Sequence, residues 1–506
     1  MLRHRLARLL QALALLSITL LTIAAQAEVK RDRFSVGGYF RIMARPDFQG
    51  GESRLGLWNL YGRLLNEGPW GALQMRYDML QPSPGTNDVW ANVQLRIEGG
   101  SFANAEGRNG NLGAFAATQL YVEAGNILLS GVTWRFGTLN YEYGDLGLYD
   151  MRPAQLFFET LGVSGRLQND NLDLLLGFGD SGFFVHGTEY STILTVGAAL
   201  RWRVARQFEL GVGGQLLYEP AVRGNRFAPH VTPLPENATY QDFVRGEIVK
   251  RFLELNPGAA DQFPDPEPVA ALSYKLVAYL GFGNLGPLTW NNLFANFLRR
   301  HPETRKTEQE GGREYTIFVK ELTDERYELN IGNEMQLTLI KNRLDLAWGV
   351  MFGYHVNRDN EVAAGEDNRI FYSTVLRLQT YLSERVHLLA EGSIAQERSL
   401  NGNLWRGHFD SVFTSSAGRA DARGLEFGDI DTRNTWQIKG GVVLNPTGVG
   451  IFTRPSLRLL VGVQHSNMHN AFGNSFVETL DQFDAFREQS DRHLHGVVAI
   501  ETEGWF

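Results

Sequence analysis

The chain contains no cysteine. No disulfide can therefore stabilise the fold, and thiol chemistry is excluded. Lysine and arginine together number 48 against 56 aspartates and glutamates, which gives a formal net charge of −8 at pH 7. This balance argues against a nucleic-acid partner, because such proteins carry a basic surface.

Long apolar runs are absent except at the start of the chain. Arg3, Arg5 and Arg8 precede the apolar run 9–23, and the small residues of Ala25-Gln26-Ala27 follow it. This order is typical of a secretory signal peptide, so we expect residues 1–27 to be removed and residues 28–506 to form one exported domain. The removed piece holds three arginines and no acid, which leaves a net charge of −11.

After this leader, no apolar run is long enough for a membrane-spanning helix, which needs roughly 18 or more residues. Instead, apolar residues alternate with polar or small ones in short segments separated by turn residues, and the chain has 55 glycines and 11% aromatic residues. This alternation predicts an all-β fold, a transmembrane antiparallel β-barrel in which every backbone group pairs with a neighbouring strand.

We predict about eighteen strands, joined by short and long connections in alternation, as in outer-membrane barrels. The predicted strands are 34–44, 54–65, 70–80, 115–124, 128–139, 157–167, 171–179, 193–203, 206–218, 270–283, 286–300, 327–339, 341–355, 368–382, 385–398, 433–446, 450–466 and 493–506. The predicted short connections include 66–69, and the long ones include 81–114, 140–156 and 219–269.

Strand alternation also predicts which side chains face the lumen. In the last strand Glu501, Glu503 and Trp505 share one side, which we assign to the lumen, so Phe506 faces lipid. By the same rule Tyr39 and Arg41 face inward on the first strand. In the run that starts at residue 451, Phe452, Arg454 and Arg458 face inward, and Ile451 faces lipid.

The stretch 134–165 contains two strand-like runs and a long polar, aromatic middle that includes Tyr143, Asp145, Tyr149 and Asp150. That middle is too long for a two-residue hairpin turn. Long loops between strands are where a β scaffold normally places recognition chemistry. We therefore predict that the loop 140–156 folds into the lumen and narrows it.

Several motifs, taken in order, resemble the sugar-specific porins of the maltoporin type. They are FSVGGYFR near the start, RLGLWNLYGRL, the stretch 134–165, IFTRPSLRLLVGV and the terminal WF. The resemblance implies a trimeric, eighteen-stranded channel of the bacterial outer membrane whose third extracellular loop folds inward. It also implies passive, facilitated diffusion of a sugar or oligosaccharide along a lane of aromatic residues flanked by ionisable ones.

Carried over residue by residue, the resemblance gives two candidate sets. The aromatic lane comprises Tyr39, Tyr61, Trp290, Phe452 and Trp505, and the polar lane comprises Arg41, Arg54, Asp145 and Asp150. The charge pattern departs from the family, because Arg63 stands where an acid is expected and Tyr143 where an arginine is expected. A preference for maltodextrins therefore does not follow.

The predicted partners are the sugar, the lipid of the outer membrane and two further copies of the chain, with no cofactor, metal or catalytic residue. Trp90 in the loop 81–114 is a further candidate, an aromatic side chain that one subunit contributes to the pore mouth of its neighbour.

Asp180, Ser181 and His186 lie close in sequence, but proximity in a loop is not a catalytic triad. Two alternatives remain open: a nonspecific diffusion porin, and a surface-binding, adhesin-like or receptor-like barrel with an occluded lumen.

Overall fold

The computed structural model describes most of the predicted strands and part of the connections. The described residues are 33–44, 59–82, 87–99, 116–144, 146–182, 192–220, 270–300, 305–310, 313–318, 326–357, 369–400, 432–467 and 493–506. Among these residues, no helix is both long and apolar enough to cross a membrane.

Twenty strands follow one another along the described chain. They are β1 Phe34–Ala44, β2 Trp70–Leu80, β3 Trp90–Gly99, β4 Ala116–Gly125, β5 Val132–Glu142, β6 Gln155–Gln168, β7 Leu172–Asp180, β8 Leu194–Ala205, β9 Phe208–Glu219, β10 Ala271–Leu285, β11 Leu288–Arg300, β12 Arg305–Glu310, β13 Arg313–Phe318, β14 Arg326–Ile340, β15 Leu344–Asn357, β16 Arg369–Tyr381, β17 Val386–Ser399, β18 Thr432–Leu444, β19 Ser456–Ser466 and β20 Leu494–Trp505. A short 3-10 helix, Asn59–Tyr61, lies between β1 and β2.

Eighteen of these strands form one closed antiparallel barrel. Each pairs with its neighbours in chain order, and β1 closes the ring on β20 with Tyr39 opposite Trp505. The remaining two, β12 and β13, pair only with each other as a hairpin between β11 and β14. The predicted fold class is confirmed: an eighteen-stranded antiparallel barrel with no free edge.

The strand number was predicted correctly only because two errors cancel. The predicted strand 54–65 is wrong, because its described part, 59–65, begins with the 3-10 helix and then turns. Conversely, β3 lies within the predicted loop 81–114, so a strand was missed there. The predicted short connection 66–69 is instead the end of the long connection between β1 and β2.

Along the strands, side chains alternate between a covered inner face and an exposed outer face. On β19 the outer side chains Leu457, Leu459 and Val461 are 43%, 52% and 53% exposed, whereas Leu460 is fully buried. The predicted lipid-facing position of Ile451 is wrong, since this residue is 5% exposed and belongs to the interior cluster. The strand begins only at Ser456, so residue 451 lies in the turn before it.

Two connections fold into the barrel and form its core. The first inward segment, residues 59–69, leads from the long β1–β2 connection into β2. The second inward segment, the described residues 143–144 and 146–154, belongs to the third long connection of the barrel, which joins β5 to β6. Leu60 and Tyr61 from the first segment and Leu146 and Tyr149 from the second are at most 1% exposed, in one cluster. The predicted inward fold of the loop 140–156 is confirmed.

Candidate functional site

The base of the second inward segment rests in a glycine socket on the barrel wall. The socket consists of Gly177 on β7, Gly197 on β8, and Gly211 and Gly213 on β9. A Cβ at Gly177 would lie 2.9 Å from the Phe157 ring, and one at Gly211 would lie 2.5 Å from the Tyr143 ring. Only glycine therefore leaves room for these two rings against the wall.

The tip of the same segment is held on the opposite side of the lumen. The Glu334 carboxylate on β14 accepts hydrogen bonds from the backbone N–H groups of Gly147, at 3.0 Å, and Leu148, at 2.8 Å. The Tyr149 hydroxyl lies 3.2 Å from the Ser373 hydroxyl on β16. The segment leaves the wall at β5 and returns to it at β6, and its tip contacts β14 and β16. It therefore crosses the lumen.

The first inward segment meets the tip of the second inside the barrel. The Arg63 N–H donates to the Leu148 carbonyl over 2.8 Å. Behind it, the Lys439 ammonium donates to the Tyr61 carbonyl at 2.9 Å and to the Glu391 carboxylate at 2.8 Å. Lys439 and Glu391 have no exposed side-chain surface. The segment is thus fixed by a buried ion pair as well as by its contact with the second segment.

A second buried ionic cluster surrounds Glu503 on β20. Its carboxylate pairs with Arg63 at 2.6 Å, Arg454 at 2.7 Å and Arg458 at 2.8 Å. It also accepts a 2.5 Å hydrogen bond from the Tyr39 hydroxyl. Four donors satisfy one carboxylate, which compensates for its complete burial.

Arg41 and Asp150, two residues of the predicted polar lane, lie together. The Arg41 guanidinium is 3.3 Å from the Asp150 carboxylate and also pairs with Glu67. Burial raises the pKa of Glu67 to about 8, against the opposing effect of Arg63 and Arg41. Burial also acts to raise the pKa of Asp150, but Arg63, a hydrogen bond from Glu67 and Arg41 together hold it below its ordinary value.

The five residues of the predicted aromatic lane do not form one continuous surface. Tyr39 and Tyr61 are buried, with 9% and 1% exposure, whereas Trp505 is 54% exposed. The Tyr39 and Trp505 ring centroids are 4.7 Å apart. The Trp290 and Phe452 centroids are 6.0 Å apart. The lane therefore appears as two aromatic pairs, while Tyr61 lies in the interior cluster.

Arginines lie over both aromatic pairs. The Arg454 guanidinium is 5.7 Å from the Tyr39 centroid and 5.8 Å from that of Trp505. The Arg377 guanidinium is 5.7 Å from the Phe452 centroid. The Arg454 side chain is 19% exposed beside the first pair. The Arg377 side chain is only 3% exposed and is held by Glu391, so it supports the Phe452 ring from behind.

Arg54 and Asp145, the other two residues of the polar lane, lie outside the described residues, as does His186. The predicted loop position of Trp90 is wrong, because Trp90 begins β3 and its ring lies against Gly125 of the same barrel. The Ser181 hydroxyl contacts the hydroxyls of Thr160, at 3.0 Å, and Thr195, at 2.7 Å.

Sequence reasoning missed the residues that hold the inward segments. Glu334, Glu391 and Lys439 face inward on strands that were correctly predicted, so strand parity shows that they point into the lumen. Their partners are far away in sequence: Leu148 lies 186 residues before Glu334, and Tyr61 lies 378 residues before Lys439. No local pattern identifies such pairs.

No protein-family model matches the chain, and no curated protein matches it. Among solved structures, it is similar to OprB of Pseudomonas putida, with 10% identity, 94% of each chain covered and a TM-score of 0.41. It is similar to OprD of Pseudomonas aeruginosa, with 7% identity, 96% of this chain and 97% of that chain covered, and a TM-score of 0.40. An anion-selective porin from Comamonas acidovorans gives 9% identity, 72% and 89% coverage, and a TM-score of 0.36. At this level the likenesses carry no argument about function.

Proposed function

We propose that this protein is a channel of the bacterial outer membrane through which hydrophilic solutes diffuse passively. The observation that carries the proposal is a closed eighteen-stranded barrel with an apolar outer face, whose interior contains ion pairs and is narrowed by inward segments. Closure satisfies all strand edges, which a membrane requires. A polar, narrowed interior is typical of a selective pore.

The more specific proposal is that the solute is a sugar or oligosaccharide. A sugar ring has an apolar C–H face and a rim of hydroxyls, so it fits an aromatic surface beside charged hydrogen-bonding groups. The Trp505–Tyr39 pair, with the partly exposed Arg454 over it, has this composition. The Phe452–Trp290 pair adds a second aromatic surface. Conduction requires weak sites, and millimolar binding corresponds to only about 4 kcal/mol.

In this proposal some aromatic residues contact the solute, and others hold the neighbouring side chains in position. Trp505, Phe452 and Trp290 retain exposed surface and contact the solute. Tyr39 and Tyr61 are buried, so they position neighbouring groups through Glu503 and Glu397. Asp150, whose side chain is 41% exposed, is the proposed polar contact, and Arg41, whose side chain is 10% exposed, positions it. A homotrimer is a proposal that rests on the resemblance alone.

One observation favours a second candidate function. The two inward segments touch inside the barrel, where the Arg63 N–H bonds the Leu148 carbonyl. A lumen blocked by such a contact would suit a surface-binding barrel that conducts neither ions nor sugar. A nonspecific diffusion porin is the third candidate, and it would conduct ions without binding sugar.

The test is single-channel conductance in planar bilayers with a series of linear oligosaccharides. We expect saturable block at millimolar concentration, and Trp505→Ala or Phe452→Ala should raise the half-blocking concentration about threefold to tenfold. The matched control is Trp436→Ala, because Trp436 is 38% exposed and lies on the outer face of β18. Ion current without sugar block would identify a general porin, and no current at all would favour the surface-binding barrel.

A further inference from the structure

The lumen wall carries an excess of positive charge where short turns join β6 to β7 and β8 to β9. Within five residues of these turns, three arginines and two acids face inward: Arg166, Asp173, Arg201, Arg203 and Glu209. On β8 the alternate residues Trp202 and Val204 lie on the outer face and are 49% and 50% exposed, which places the two arginines between them and beside them inside. The turns themselves add Asp170 and Arg206, whose charges cancel.

The two acids are shared unequally among the three arginines. Arg166 holds Asp173 with two hydrogen bonds, from Nε at 2.7 Å and from Nη2 at 2.5 Å. Glu209 instead lies between two arginines, 3.2 Å from Arg201 Nε and 3.6 Å from Arg203 Nη2. One carboxylate therefore balances two guanidiniums, and a net positive charge remains at this point of the wall.

The contacts with Glu209 leave both of its arginines with unused donors. The 3.6 Å contact of Arg203 is too long for a hydrogen bond. Arg201 Nε has no hydrogen-bond partner among the described residues. The hydrogen bond described for Arg203 runs from Nη1 to the Asp170 carbonyl at 3.1 Å. Because a guanidinium has five N–H donors, Arg203 retains donors for a further acceptor.

Exposure shows which of these charged groups a solute can reach. The side chains of Arg203 and Arg201 are 52% and 27% exposed, whereas that of Glu209 is 19% exposed. The same order holds for Arg166 and Asp173, at 36% and 7%. The acids are more covered than the guanidiniums that they balance, so a solute in the lumen meets positive charge first.

Two tyrosine rings hold Arg201 in position. Its guanidinium lies 5.6 Å from the Tyr143 centroid and 5.9 Å from the Tyr279 centroid, and the two rings are stacked. Its Nη2 also donates to the Glu142 carbonyl at 2.9 Å, at the end of β5, where the second inward segment begins. The planar guanidinium is therefore fixed beside the constriction before any solute arrives.

We infer that Arg201 and Arg203 form a binding site for an acidic group of the solute, a carboxylate, sulfate or phosphate. This inference rests on the proposed channel function and narrows its solute to acidic saccharides. The two arginines are two residues apart on one strand, about 7 Å along the same face, and both reach Glu209, so one anion can contact both. Such anions accept several charge-assisted hydrogen bonds at once, which the donor fork of arginine matches.

The competing explanation is that Arg203 only braces the turn between β6 and β7 through the Asp170 carbonyl. A brace of this kind affects stability and has no effect on what the channel binds. Arg76 on β2 offers a matched control, because its side chain is 44% exposed and forms an ion pair with Asp78 at 2.7 Å. Its loss removes the same charge from the lumen and leaves the Arg201–Arg203 site intact.

The experiment compares Arg203→Gln with the wild-type channel in planar bilayers, with trigalacturonate and neutral maltotriose as probes. In the wild type at low salt, the half-blocking concentration of trigalacturonate should be about threefold to tenfold below that of maltotriose. Arg203→Gln should remove this advantage and leave maltotriose block unchanged, and Arg76→Gln should keep the advantage. Equal block by both probes in the wild type, or an equal loss in both variants, would overturn the inference.

Salt and a free anion sharpen the test. Raising the salt concentration from 0.1 M to 1 M shortens the screening length from about 10 Å to about 3 Å, so the advantage of trigalacturonate should shrink while maltotriose block stays the same. Inorganic sulfate should compete with trigalacturonate only in large excess. Sulfate that abolishes trigalacturonate block at equal concentration would show a site for the free anion and overturn the assignment to acidic saccharides.

The outcomes separate this inference from the proposed function. If neither trisaccharide blocks the wild type, the proposed function fails together with the inference. If maltotriose blocks and trigalacturonate has no advantage, only the inference fails. If Arg203→Gln lowers the midpoint of thermal unfolding but keeps the advantage, Arg203 is a brace, and the inference fails as well.

Discussion

The inner wall of this barrel uses the same ion-pair chemistry in two different ways. On the packed wall, formed by β14–β20, Glu391, Lys439 and Glu503 have no exposed side-chain surface. On the open wall, formed by β4–β9, the side chains of Arg135, Arg166 and Arg201, each paired with an acid, are 21%, 36% and 27% exposed. The first set is covered by the inward segments, and the second is left facing the lumen.

The buried ion pairs of the packed wall hold the inward segments in place, whereas the ion pairs of the open wall can contact a solute. A buried pair on the packed wall is satisfied by backbone groups of the inward segments, as when Lys439 donates to the Tyr61 carbonyl. A partly exposed pair on the open wall retains donors that water or a solute can reach. Buried ion pairs become costly when one partner is lost, whereas exposed pairs contribute little to stability. Substitutions can therefore distinguish the two walls by their effect on stability.

The largest expected effect is on the packed wall. Glu391→Gln leaves Arg377 and Lys439 buried without a carboxylate, since these two cations lie 2.6 Å and 2.8 Å from Glu391. Loss of one partner of a buried pair costs about 3–5 kcal/mol. The matched change on the open wall, Glu123→Gln, removes the carboxylate that lies 2.6 Å from Arg135. It should cost less, about 1 kcal/mol, because this pair is partly exposed. Thermal unfolding in detergent, followed by circular dichroism, measures both, and equal losses would contradict the distinction between the walls.

An intermediate effect is expected at Glu334, which holds the tip of the second inward segment. Glu334→Leu removes the acceptor of the Gly147 and Leu148 N–H groups, and each buried unsatisfied donor costs about 1–3 kcal/mol. The loosened segment should also increase single-channel conductance. Glu334→Gln keeps one acceptor oxygen and should fall between the wild type and Glu334→Leu. If Glu334→Leu conducts like the wild type, this contact does not hold the constriction.

Predictions from the sequence were more accurate for the strands of the barrel wall than for the segments that fold inside it. Alternation marks a strand whose two faces meet different surroundings, and the predicted bounds 34–44 and 70–80 agree with β1 and β2. The same alternation occurs in 59–65, where Tyr61 and Arg63 differ from Leu60 and Leu64. There both faces are covered inside the barrel, and local pattern cannot distinguish that environment from lipid on one side and lumen on the other.

The candidate site was predictable only in its strand-borne residues. The inward orientation of Arg41 and Glu503 follows from parity alone, and the structure confirms it through their contacts with Asp150 and Arg63. That Tyr39 would be covered by the first inward segment does not follow from parity. It depends on a segment that was predicted to be a strand, so the burial of the lane could not be foreseen.

The smallest effect is expected in the glycine socket that joins the open wall to the second inward segment. A Cβ at Gly177 would meet the Phe157 ring at 2.9 Å, so Gly177→Ala must displace this ring. Overpacking typically costs about 1–3 kcal/mol, which should exceed the roughly 0.5–1 kcal/mol that alanine gains over glycine in a strand, for a net loss of about 1 kcal/mol. Gly392→Ala is the matched control, because its Cβ would meet nothing within 4 Å.

For this last pair, the informative measurement is the difference between the two midpoints of thermal unfolding. Gly392→Ala should leave the midpoint unchanged or raise it slightly, since it reduces the freedom of the unfolded chain without a clash. Gly177→Ala should lower the midpoint and broaden the conductance distribution, because Phe157 anchors the base of the constriction. If both variants unfold alike, the ring yields without cost, and the second inward segment is held at its tip by Glu334 rather than at its base.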